Sequence, residues 1–159
     1  MDYLTVLPSP IGPLQLKSDG TALTELKIGS FPGVPSASLP LFLQAEQWLQ
    51  VYWQGRDPGP VPFPLAPEGT PFQQQVWSLL LSIPYGTTCS YGDLAKKMGF
   101  LTGKPRMSPQ AIGTAVGRNP IALLIPCHRV IGSRGQLTGY AYGLSVKKQL
   151  LELEGVKLP

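Results

Sequence analysis

Two cysteines and a single histidine occur in the 159 residues, and one of the cysteines, Cys127, directly precedes the histidine, His128. A thiolate is a strong nucleophile. A free cysteine ionises near pH 8.5, and a nearby imidazole lowers the cost of ionising it. An imidazole used in this way needs an acceptor to orient it, and Glu154, near the end of the chain, is a candidate. Neighbouring side chains of an extended strand point to opposite faces, so Cys127 and His128 cannot touch while a strand continues. Pro126 interrupts regular pairing just before them. A turn there, or a bridging water, would let the pair work together. The residues alone equally allow a small buried thiol beside a satisfied core histidine, and at this level both readings stay open.

Several other chemistries are excluded or disfavoured. Two cysteines and one histidine cannot assemble a multi-ligand metal site, and the acidic residues form no cluster that would replace one, so neither metal nor cofactor is expected. Cys89 reads as a packing residue. No run approaches the roughly 18 apolar residues that span a bilayer, and the N-terminus lacks the basic and apolar segments of a secretory signal. The expectation is a cytoplasmic protein with no membrane partner (nucleoid-associated in a prokaryote, nuclear in a eukaryote). Charge is unevenly distributed. Residues 1–85 carry three cations against six carboxylates, a net of −3, whereas residues 86–159 carry ten against three, a net of +7. A cationic second half suits a polyanion such as nucleic acid.

The elements that must position Cys127 follow from periodicity. Residues 1–30 alternate short apolar runs with turn pairs such as Gly12-Pro13 and Asp19-Gly20, which predicts a small antiparallel sheet. Leu41, Ala45, Trp48, Leu49 and Tyr52 repeat at helical spacing, with Gly55 as the stop. Five prolines between Asp57 and Glu68 exclude helix and central strand, so residues 56–68 read as a stiff linker closing an N-terminal domain, 1–68. Residues 69–159 read as a mainly helical second domain. Thr70-Pro71-Phe72-Gln73 is a capping box with proline at the first helical position. A second helix runs from Ser90 to Gly99 and a third from Ser108 to Val116, a pair resembling a helix-turn-helix flanked by Lys96, Lys97, Lys104, Arg106 and Arg118. The apolar run Ile121 to Ile125 predicts a buried strand delivering Cys127. A last helix spans Ser145 to about Glu154, burying Leu150, Leu151 and Leu153. The fold class is α/β in the α+β sense.

Ile125-Pro126-Cys127-His128-Arg129-Val130 resembles the signature of the O6-alkylguanine-DNA alkyltransferases. Ordered matches extend through Phe72 to Trp77, Ile83-Pro84-Tyr85-Gly86, Ser90-Tyr91-Gly92-Asp93-Leu94-Ala95, Asn119-Pro120 and Leu144 to Gly155. The resemblance implies direct reversal of DNA damage. The alkyl group on O6 of guanine passes irreversibly to Cys127, with His128 as a water-mediated base, Glu154 holding the histidine, and Asn119 ordering the active-site turn. It implies Tyr91, Tyr140, Tyr142 and Pro126 around the base, and Gln110, Ala111, Thr88, Ser90, Arg118 and Arg129 against DNA. The winged-helix-like pair would enter the minor groove of double-stranded DNA and the lesion would be flipped out, since an atom inside the stack cannot reach a buried thiol. The implied protein is a single-turnover methyltransferase, a monomer with no obligate protein partner. A non-catalytic, lesion-binding relative is the alternative, but such relatives replace the cysteine that this chain keeps. A helix-turn-helix regulator would bind duplex without consuming a thiol. A Cys-His hydrolase would need an oxyanion loop that the sequence does not offer.

Two positions depart from the family pattern. Tyr142 stands where many members have glycine, which narrows the expected pocket. Gln110 stands where the family usually carries an arginine that fills the space left by the flipped base, after a loop, Phe100 to Met107, about five residues longer than usual. Glutamine can hydrogen-bond the orphaned partner base but is shorter than arginine and neutral. The expected outcome is that Gln110→Arg speeds repair of duplex substrate and leaves reaction with a free base analogue unchanged, because only the duplex requires extrusion. Paired single-turnover rates on the two substrates check this; an equal or slower duplex rate would mean that another residue already fills the gap.

Overall fold

The computed structural model describes residues 2–36, 38–104 and 107–158. Arg106 lies outside the described residues. Two units divide the chain, residues 1–68 with 120–124, and residues 69–119 with 125–159.

In the first unit the alternating runs become strands β1 (Tyr3–Leu7), β2 (Leu14–Ser18) and β3 (Leu23–Ile28), paired antiparallel in the order β1-β2-β3. Leu7 pairs with Leu14 across the 8–13 connection, and Leu14 pairs with Ile28 beyond a register irregularity between Lys17 and Ser18. Leu14, Leu16, Leu23 and Leu26 are fully buried. Helix α1 (Pro40–Trp53) turns Phe42, Ala45, Leu49 and Tyr52 inward. The proline-rich run is laid along β3: Leu23 N–H donates to Pro64 O at 2.9 Å and Ala66 N–H to Leu23 O at 2.8 Å. Prolines tolerate such an edge because they need donate nothing there.

The apolar run before Cys127 belongs to this unit, and it is not a strand. Ile121 makes one parallel bridge to Leu26, and residues 122–124 then turn. Leu123 has φ +69°, a left-handed conformation that costs a branched side chain roughly 1–2 kcal/mol. Burial of Ile121, Leu123 and Leu124 to 3% exposure or less holds it there. An apolar pattern specifies burial, and here a buried turn satisfies it where a strand was expected.

In the second unit Thr70 and Gln73 cap α2 (Pro71–Leu80) reciprocally. Helix α3 (Tyr91–Thr102), capped by Ser90, runs one turn past the expected stop at Gly99 and ends at Gly103, whose φ of +69° suits the left-handed cap. Helix α4 (Pro109–Gly117) packs on α2 and α3. The pair β4 (Cys89–Ser90) and β5 (Val130–Ile131) is parallel, which ties the start of α3 to the chain leaving Cys127. Helix α5 (Leu144–Leu153) buries Leu150 and Leu151 as expected, and Lys147 as well, but leaves Leu153, expected in the core, half-buried on its last turn. No helix is long and apolar enough to cross a membrane among the described residues.

Trp77 locks α2 to α4. Its ring is 2% exposed and its indole N–H donates to Ala115 O at 2.8 Å. That carbonyl also accepts from Arg118 N–H, so losing the indole donor does not orphan it. Trp77→Phe is therefore expected to destabilise by about 1 kcal/mol and Trp77→Ala by about 3–5 kcal/mol, read as urea midpoints. Equal losses in the two variants would mean that the hydrogen bond, not ring burial, dominates.

Candidate active site

Pro126, with φ −82° and ψ 64°, opens a single 3-10 turn over Cys127–Arg129. Its carbonyl accepts from Arg129 N–H at 3.0 Å. The turn resolves the geometric objection to adjacent residues acting together. Cys127 lines a cavity of about 230 Å3, while His128 is fully buried and faces α5.

His128 Nε2 lies 2.6 Å from Oε2 of Glu154, the C-cap residue of α5. A carboxylate can only accept, so Nε2 carries the proton and the neutral ring keeps its lone pair at Nδ1. The other oxygen, Oε1, accepts from Arg129 Nε at 2.8 Å and from Gly86 N–H at 3.0 Å. Gly86 presents that N–H from a left-handed backbone with φ +77°. Asn119, just beyond α4, donates from Nδ2 to Ile125 O at 2.8 Å, fixing the chain that enters the turn. These placements bring Cys127, His128, Glu154 and Asn119 into one cluster.

The electrostatics of Cys127 are opposed. Burial pushes its thiol up, while the Asn119 amide, the Lys147 ammonium and the backbone of Cys127 and His128 pull it down; burial prevails. Burial likewise pushes the His128 imidazolium down; Glu154 opposes this, and Arg129 and Lys147 reinforce it. Lys147 Nζ donates to three carbonyls, those of Val130, Thr138 and Gly139. Burial lowers it to about 8, with Cys127 pushing back up. It ties the chain leaving the turn to the segment that forms one cavity wall.

That wall carries Tyr140 and Tyr142, their rings edge to face with centroids 5.6 Å apart, and Tyr91 lies opposite beside Gly113 and Val116 of α4. Tyr91, Tyr140, Tyr142 and Cys127 thus share one cavity. Pro126 does not line it; it is buried and shapes the turn instead, which corrects the expectation that it contacts the base. Gln110 and Ala111 are exposed on the first turn of α4, and Arg118 is exposed at its end. Thr88 and Ser90 border a separate open cleft with Lys96 and Ser133. Arg129, expected on DNA, is 8% exposed and spent on Glu154 and on Ile83 O, 2.8 Å from NH1; a buried, paired guanidinium is not a phosphate contact. Sequence reasoning missed Lys147, which gave no signal, being one of two adjacent lysines on an amphipathic helix. It also missed Gly86, where an unremarkable turn glycine supplies the N–H. Among the described residues no group of three or more His, Cys, Asp or Glu could hold a metal.

Residues 71–156 match the model of a family described as 6-O-methylguanine DNA methyltransferase, DNA binding domain. The methylated-DNA–protein-cysteine methyltransferase of Methanosarcina acetivorans is 42% identical over 161 residues, covering 96% of this chain and 98% of that protein. Its counterpart from Mycobacterium leprae is 46% identical over 159 residues, covering 97% and 93%. Among solved structures, Mycobacterium tuberculosis OGT in complex with DNA superposes with a TM-score of 0.84 at 42% identity, covering 96% of this chain and 92% of that one. An O6-methylguanine-DNA methyltransferase from Pyrococcus kodakaraensis gives 0.69 at 24% identity, a likeness of fold, covering 98% and 100%.

A single histidine makes the site's protonation readable from stability. Unfolded, His128 takes its proton near 6.5; folded, burial resists that proton. Below 6.5 the unfolded chain therefore binds more protons than the folded one, and stability falls as pH falls, by up to about 1.4 kcal/mol per pH unit. Urea midpoints at pH 7 and pH 5.2 are expected to show this loss in the wild type and not in His128→Gln. An unchanged midpoint in the wild type would mean that Glu154 offsets burial, and a midpoint higher at pH 5.2 that Glu154 wins and the imidazolium is stable when buried.

Proposed function

The chain belongs to the 6-O-methylguanine DNA methyltransferase family, and from that premise we propose that Cys127 is the alkyl acceptor, with Tyr91, Tyr140 and Tyr142 around the flipped base. The protein repairs O6-alkylguanine in DNA by moving the alkyl group onto a cysteine of its own. Of its two cysteines, Cys127 alone lines the tyrosine-walled cavity beside a His–Glu pair; Cys89 borders the other cleft. That contrast carries the assignment.

The chemistry follows from the geometry. The Cys127 thiol gives its proton through a water to Nδ1 of His128, and Glu154 stabilises the imidazolium that forms. The sulfur pair attacks the alkyl carbon in line with the C–O6 bond, whose electrons remain with guanine. A proton delivered to the ring, from Tyr91, completes the leaving group. The product thioether has no route back to a thiol, so each molecule acts once. The substrate is double-stranded DNA, entered from the minor groove by the first turn of α4, where Gln110 and Ala111 are exposed. Extrusion of the lesion into the cavity meets the need of a buried thiol for an unstacked base. The protein works as a monomer beside the DNA in the cell.

Repair is expected to be stoichiometric. Moles of O6-methylguanine removed should not exceed moles of protein, and the Cys127 peptide should gain one methyl group by mass. Cys127→Ser should abolish transfer while duplex binding persists. Several turnovers from one molecule would rule out self-alkylation.

A further inference from the structure

Arg129 follows the Cys-His pair yet points away from any surface. Its guanidinium reaches two places distant in sequence, Glu154 Oε1 through Nε and Ile83 O through NH1, each at 2.8 Å, and it lies over the Tyr85 ring at 5.8 Å. Gly86, whose N–H also holds Oε1, belongs to the same 83–86 turn. Glu154 therefore receives the turn and the arginine on Oε1 and faces His128 with Oε2. The charged and titratable groups facing His128 are Cys127 and Arg129 from its own turn and Lys147 and Glu154 from α5 and its cap.

We infer that Arg129 is a positioning residue of the transfer reaction: it fixes Glu154 as an anion against His128 and keeps the imidazole neutral until the thiol proton arrives. This rests on the reading of Cys127 as acceptor. Consider the buried site without the arginine. The carboxylate would then lose the guanidinium that neutralises it at Oε1, and its Coulomb attraction for an imidazolium would load a proton onto His128 before reaction. A pre-protonated imidazole cannot take the proton of Cys127. With Arg129 present, the carboxylate is already neutralised, and the imidazole is protonated only as the S–H bond breaks. Burial and the two cations lower the imidazolium's proton affinity in the same sense. Lysine cannot replace this function fully, because one compact ammonium cannot serve Glu154 and Ile83 O with a fixed fork.

The test is single-turnover methyl transfer from a short single-stranded oligonucleotide carrying O6-methylguanine, at saturating protein, from pH 5 to 9, with the Cys127 peptide weighed. Relative to wild type, the acid limb of the Arg129→Met profile is expected to move up by about one to two pH units. Its rate should fall far more at pH 6 than at pH 8.5. Arg129→Lys, which keeps the charge and loses the fork, should hold the limb near its wild-type position with a rate lowered at every pH. On a Glu154→Gln background, Arg129→Met should shift nothing further. Folded fraction is measured by circular dichroism, and Arg129→Gln supplies the uncharged variant should the methionine chain fail to fold. A Met or Gln variant slowed equally at every pH, or a Lys variant as fast as wild type throughout, overturns the inference. In that case Cys127 would still carry the methyl group; methyl found elsewhere overturns the acceptor assignment and this inference with it.

Discussion

One buried carboxylate organises the site. The Glu154 side chain is inaccessible to water, and an ionised carboxylate in such a place is strongly unfavourable unless every lone pair has a donor. Donors reach it from two separate segments: a backbone N–H at Gly86 in the 83–86 turn, and the His128 ring and Arg129 guanidinium from the 3-10 turn. Removing one partner from a buried ionic network typically costs about 3–5 kcal/mol, far more than a surface pair. The end of α5, the 83–86 turn and the 3-10 turn are therefore mutually fixed, and the position of Cys127 inherits that rigidity.

The thiol sits under opposing pressures, and the balance suits its task. Burial favours the protonated form, and a thiol is much less open to adventitious alkylation and oxidation than a thiolate. Asn119, Lys147 and the backbone of the turn are already in place to receive negative charge on sulfur, so ionisation during transfer requires little rearrangement. Lys147 serves two ends, lending its field to the sulfur while three carbonyls hold its ammonium against the cavity wall.

Much of this was legible in the residues. The capping box at Thr70 and Gln73, the small sheet and the helical faces are local patterns, and local hydrogen bonds and burial realise them directly. The Cys127–His128 pair and Glu154 could be named as candidates from their chemistry, but the residues alone left a packing role equally open, and the resemblance decided between the two. The misreadings concern residues whose role depends on distant partners. The resemblance implied a DNA contact for Arg129, and nothing local in the sequence pointed to the carboxylate it pairs with, 25 positions away. Lys147 carries no sequence mark of burial. The run Ile121 to Ile125 showed that it must be buried but not how, since a left-handed leucine at position 123 is a tertiary outcome.

That run also constrains how the molecule can be divided. Residues 120–124 pack in the first unit although the chain on either side of them lies in the second. The backbone meets β3 at the bond between Pro120 O and Leu26 N–H, turns, and a few residues later forms the 3-10 turn at Cys127. The two units are thus interleaved rather than strung in series. A fragment starting at Gly69 would leave Ile121, Leu123 and Leu124 as an uncovered greasy loop directly upstream of the nucleophile. Excision at the proline-rich run would separate sequence without separating structure, because residues 120–124 belong with the half removed.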